Sequence, residues 1–182
     1  ELVRQRDRGA AGAPGPRVPM TFDFRRALTV LATHEVEFIV VGGISAILQG
    51  APVVTLDLDI VHRRTPDNVR RLLAALRSID ARYRHDPRGL VPEAQHLLGP
   101  GHNLLQTTCG PLDALGAIDE GLSYDDLLPD SEEMRVGPDL TARVLSLRRL
   151  VELKAAAGRP KDVAVLPTLR ATLVELERTR DA

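Results

Sequence analysis

The chain has 182 residues, 43% of them hydrophobic, with 24 basic and 25 acidic residues and a formal net charge of −1. That length and apolar content suit one buried core, with room for an appended helical part, and the near-zero charge excludes a wholly basic, nucleic-acid-coating domain. No apolar run approaches the ~20 residues of a membrane span and no signal-peptide pattern opens the chain, so no membrane partner is expected and a cytoplasmic location is.

Residues 1–19, ELVRQRDRGAAGAPGPRVP, have no apolar period and read as a disordered lead-in, with Met20 as the start of the organised part. Phe24, Ala27, Leu28 and Leu31 predict a helix over 23–34, followed by a buried strand over 37–41 and a short helix over 44–49. A second apolar strand is predicted over 53–62. Thr65-Pro66-Asp67 is a helix-start signal, and Val69, Leu72, Leu73 and Leu76 supply the stripe behind it. Strand-like pieces follow at 96–98, 103–108 and 112–118, separated by Gly-Pro turns whose shortness suits an antiparallel meander. A short strand at 134–136 precedes helices over 146–156 and 161–178. This order of elements makes an α/β or α+β domain.

The segment FIVVGGISAILQGAPVVTLDLDI, residues 38–60, carries the densest chemistry. Gly42-Gly43 closes the first strand and lets backbone approach a phosphate, with Ser45 just inside a helix start that favours anions. On a strand, Asp57 and Asp59 at i and i+2 share one face. Two adjacent acids repel unless a cation lies between them, and a hard divalent ion such as magnesium suits carboxylate and phosphate oxygens. The plainer alternative is an ordinary turn followed by an edge strand with a solvated acidic face.

Asp113 is the single acid in the apolar run GPLDALGAI. A third carboxylate on a neighbouring strand is what a two-metal phosphoryl-transfer site needs. Asp119 is the runner-up, beside Glu120 and Gly121 in a loop-like context. Cys109, the one cysteine, reads as a buried inert thiol. Of the 24 basic residues only Lys154 and Lys161 are lysines, which suggests that these two places use a compact ammonium, the point charge that suits phosphate. Charge is also uneven: 63–88 holds eight arginines against three acids, and 113–139 holds nine acids against Arg135. The arginine-rich stretch offers an attraction for a phosphate backbone, or is an ordinary solvated face.

Taken together, the double glycine and Thr55-x-Asp57-x-Asp59 resemble the signature of the nucleotidyltransferase superfamily related to DNA polymerase beta. LSLRRLVELKAAAGRPKDVAVLPTL resembles the tail of small bacterial abortive-infection-type members, matching at Lys154, Arg159, Lys161 and Asp162. The resemblance covers roughly residues 22–175. It implies a nucleotidyltransferase-like mixed sheet flanked by helices, with 20–138 as core and 139–182 as a C-terminal helical part packed on it. It implies magnesium or manganese on Asp57, Asp59 and Asp113, all three catalytic. A nucleoside triphosphate such as ATP would lie on Gly42, Gly43, Ser45, Lys154 and Lys161, with Thr55, Arg159 and Asp162 in support. The acceptor would be tRNA, a protein or a small molecule, and the setting a toxin with a cognate antitoxin. An inactive nucleotide- or partner-binding module is the alternative, and for Arg159 and Asp162 a structural ion pair at the helix junction. One departure stands out. Many members of that superfamily carry an arginine shortly before the Thr-x-Asp-x-Asp stretch, where this chain has Pro52-Val53-Val54.

Overall fold

The structure, a computed structural model, describes residues 22–180. The expectations for residues 1–19 and Met20 lie outside that range. The first described helix, α1 (Phe24–Thr33), starts where Asp23 accepts a hydrogen bond from the Arg26 amide at 3.0 Å, a side-chain cap. It buries Ala27, Leu28 and Leu31. The chain then forms β1 (Phe38–Val41), α2 (Gly42–Leu48), β2 (Leu58–His62), α3 (Pro66–Ser78) and β3 (Arg82–Tyr83). Thr65 caps α3 and Pro66 opens it, as its sequence signal indicates. After α4 (Ala94–Leu98) come β4 (His102–Thr107) and β5 (Gly110–Leu115), then α5 (Tyr124–Leu127) with a 3₁₀ turn behind it. The hairpin β6 (Ser131–Gly137) and β7 (Leu140–Leu145) leads into α6 (Leu147–Ala157) and α7 (Pro160–Arg180).

Among the described residues seven strands form one mixed sheet in the order β3-β4-β5-β2-β1-β7-β6. At its centre β1 runs antiparallel to β2, while β2 is parallel to β5 and β1 is parallel to β7. β1 is buried at every position, as expected of a central strand covered on both faces. Alternate residues feed two cores. Val40, Leu58, Ile60 and Leu112 pack with Leu28, Leu31, Leu72 and Leu76 of α1 and α3. Ile39, Val41, Val61 and Leu115 pack with Leu147, Leu150, Leu166 and Leu169 of α6 and α7. Each fully buried leucine contributes about 2 kcal/mol, so the two cores hold the fold.

Three expectations change. Residues 51–57 are not strand, and β2 begins at Leu58. On one side β1 ends at Val41, opposite Asp59, where the chain turns into α2, and on the other the β5 residue before Leu112, the partner of Leu58, is Pro111, which has no amide to donate. Val54 and Leu56 are accordingly 92% and 74% exposed. The strand expected at 96–98 is the last turn of α4 instead, because the Glu93 amide donates to His96 Nδ1 at 3.3 Å and closes a helical start. Finally β7, which was not anticipated, belongs to the sheet through β1, so a boundary at 138 would divide the β6–β7 hairpin. No described helix is long and apolar enough to cross a membrane.

Candidate metal and nucleotide site

Because β2 and β5 are parallel neighbours, Asp59 stands directly beside Asp113. Both alternate with residues of the α1–α3 core, so they project from the sheet face that carries α6 and α7. Asp57 reaches the same point from the bend before β2, and one oxygen from each of the three carboxylates lies within 4.8 Å of the others. Asp57 is oriented by Thr55, whose hydroxyl donates to Asp57 Oδ1 at 2.9 Å.

The glycine pair is shaped by these acids. Gly42 has φ +64°, a backbone that L side chains rarely adopt, and a Cβ there would lie 2.1 Å from Asp59 Oδ2. A Cβ on Gly43 would lie 2.5 Å from Thr55 Cβ. The turn therefore needs glycine at both positions to admit Asp59 and Thr55.

Asp59 is pushed up to about 6, first by burial and then by the neighbouring Asp57 charge; Lys161, Lys154 and Arg84 pull in the opposite direction without overcoming it. A carboxylate so disfavoured in its charged form beside two more calls for a cation, and an all-oxygen donor set fits a hard divalent ion.

A cleft of about 530 Å³ opens over the acids. Gly42, Gly43 and Thr55 line it together with Lys154, Arg159, Lys161 and Asp162. The two lysines are differently placed. Asp162 is fully buried and takes both Lys154 Nζ and Arg159 Nε in ion pairs across the α6–α7 junction. Burial tends to raise the Asp162 carboxyl, but the hydrogen bonds from Lys154 and Arg159 win and hold it below its ordinary range. Lys161 is exposed, with no carboxylate within ion-pair distance among the described residues. Asp119 lines the cleft from a turn at φ +46° but is not in the carboxylate cluster.

Ser45 is placed otherwise than expected. It is fully buried and its hydroxyl donates to the Leu145 carbonyl at 2.8 Å, so its side chain is not part of the cleft lining. Gln49 joins it, donating to Leu145 O at 2.9 Å and accepting from the Leu147 amide at 2.7 Å, which ties α2 to the β7–α6 corner. These bonds fix the helix behind the glycine turn.

Sequence reasoning missed Arg84. It lies one residue beyond β3, and its guanidinium forms an ion pair with Asp113. No local motif announces it; only the strand register brings it there. The wider arginine-rich stretch is largely spoken for, since Arg63, Arg70, Arg71, Arg82, Arg84 and Arg88 all pair with acids of this chain.

No protein-family model and no curated protein matches the sequence. Among solved structures the chain is similar to a "putative nucleotidyltransferase" from Thermotoga maritima, at 20% identity and a TM-score of 0.51, covering 84% of this chain and 91% of that one. The seven-stranded mixed sheet with its helices is thus a nucleotidyltransferase-like fold.

Proposed function

We propose that the chain is a metal-dependent nucleotidyltransferase that moves a nucleoside monophosphate from a triphosphate to an acceptor. The observation that carries this reading is the meeting of Asp57, Asp59 and Asp113 beneath the Gly42-Gly43 turn, in a cleft that also presents Lys161. Asp57 and Asp59 would hold magnesium or manganese, with Asp113 completing the set. When bound, such an ion supplies Lewis-acid polarisation of the α-phosphate and neutralises developing charge. Gly42 and Gly43 leave backbone open to the phosphates, and Thr55 keeps Asp57 aimed. The acceptor hydroxyl attacks the α-phosphorus, its proton passing toward Asp113, as the bond to the leaving pyrophosphate breaks. Lys161 meets the charge on that pyrophosphate. Lys154 stays with Asp162 and sets the position of the α6–α7 junction from which Lys161 projects.

The acceptor is a tRNA end, a protein side chain or a small molecule such as an aminoglycoside. A cytoplasmic toxin restrained by an antitoxin is the setting this proposal favours. Incubating each α-labelled triphosphate with magnesium and each acceptor class tests it. Label should move to one class with wild-type chain and to none with Asp57→Asn/Asp59→Asn. If no label moves while a triphosphate still raises the thermal midpoint, the chain is a nucleotide-binding module instead. Growth arrest on expression, relieved by the same double substitution, tests the toxin setting.

A further inference from the structure

We infer that Arg84 stands in for a second metal ion, so that the protein holds one resident divalent ion per chain. This rests on the metal reading of the cleft given above. The sheet register sets Arg84 in line with the acids. Its amide donates to the Leu104 carbonyl at 2.8 Å, Leu104 lies opposite Asp113 on β4 and β5, and Asp113 lies beside Asp59. From Arg84 to Asp113 is two strand spacings, roughly 10 Å, a gap that the long arginine side chain crosses to reach Asp113 Oδ1. The guanidinium thus sets a positive charge against Asp113.

The charge balance sets the ion number. One divalent ion and one guanidinium neutralise Asp57, Asp59 and Asp113, whereas a second divalent ion would leave two positive charges in excess before any phosphate arrived. The other cations add only further positive charge against a second ion. Lys154 is paired with the buried Asp162, and Lys161 lines the same cleft as the three acids. Arg84 is thus a positioning residue. It pairs with Asp113 Oδ1 and brings a guanidinium to the site, where the residues just before Thr55 are Pro52-Val53-Val54.

Titration of the full chain with manganese, read from the paramagnetic resonance of free ion and done without nucleotide, tests this. Wild type should bind one ion. Arg84→Met, which keeps length and removes charge, should take up a second ion and bind the first about tenfold more tightly. Arg84→Lys should restore the single-ion curve. Two ions in wild type, or an Arg84→Met curve superimposable on wild type, would overturn the inference. A merely structural arginine gives that second result together with a lower thermal midpoint. If Arg84→Met does not fold, Arg84→Gln takes its place, with a second ion expected and a curve superimposable on wild type overturning the inference. No ion on wild type would sink the metal reading and this inference together, whereas one ion with an unchanged Arg84→Met removes only the role of Arg84.

Discussion

At the scale of single residues the site is a balance between repulsion and space. Asp59, raised from an ordinary 3.8 to about 6, is protonated in the folded chain over a pH range where the unfolded chain has lost the proton. Its contribution to stability is therefore present in full below pH ~4 and lost as pH rises through about 6. A divalent ion reverses the loss, since it binds the charged form of the folded state. The thermal shift caused by magnesium should accordingly be small at pH 5 and larger at pH 7.5, and Asp59→Asn should flatten both the pH slope and the metal response. A metal response equal at the two pH values would refute this account. Gly42→Ala should destabilise the chain by about 2 kcal/mol, because it strains a positive φ, and should remove the metal response because the new methyl meets Asp59 Oδ2. Chemical denaturation with and without magnesium measures both.

Among elements, the α6–α7 hairpin matters most to the cleft. α6 turns Leu147, Leu150 and Val151 inward and α7 turns Leu166 and Leu169 inward, so the pair is pinned to the sheet by apolar burial, with the cleft-facing cations at its closed end. Asp162 joins both helices there. Asp162→Ala strands two cations. It should cost about 2 kcal/mol, less than the 3–5 of a fully buried broken pair because Arg159 is more than half exposed. Lys154→Ala should lower the thermal midpoint, whereas Lys161→Ala should leave it within one degree of wild type and weaken triphosphate binding instead. Paired melts and nucleotide titrations separate the two, and identical behaviour of the lysine variants would contradict the division of roles.

At the level of the whole molecule, the sheet places acids and cations on one face while the arginines of 63–88 are mostly absorbed by acids of the same chain. Arg70 pairs with Asp67 on one turn of α3, and Arg71 with Glu37 ahead of β1. A surface whose charges are internally matched attracts a polyanion weakly, since few counterions are released. Charge reversal at Arg70 and Arg71 should therefore change the salt dependence of any label transfer to tRNA by less than one contact's worth. A steep loss in the reversed variant would show that the internal pairs open for the nucleic acid.

By itself the sequence determined the features that follow from local spacing: the stripes of α1, α3 and α6, the apolar β1, the double glycine, and the acids at 57, 59 and 113. These need only a helical or strand period and the steric freedom of glycine, which neighbouring residues settle among themselves. Partners distant in the chain decided the rest. Asp57 left the strand because β1 ended opposite Asp59, α4 replaced a strand because His96 closed a capping contact, and β7 was recruited by β1 across a hundred residues of chain. Ser45 became a tie to Leu145, Lys154 was captured by Asp162, and Arg84 reached Asp113 across β4. None of these is periodic. Each depends on which backbone edge and which counter-charge the folded sheet sets within hydrogen-bond reach, and only the assembled register supplies that.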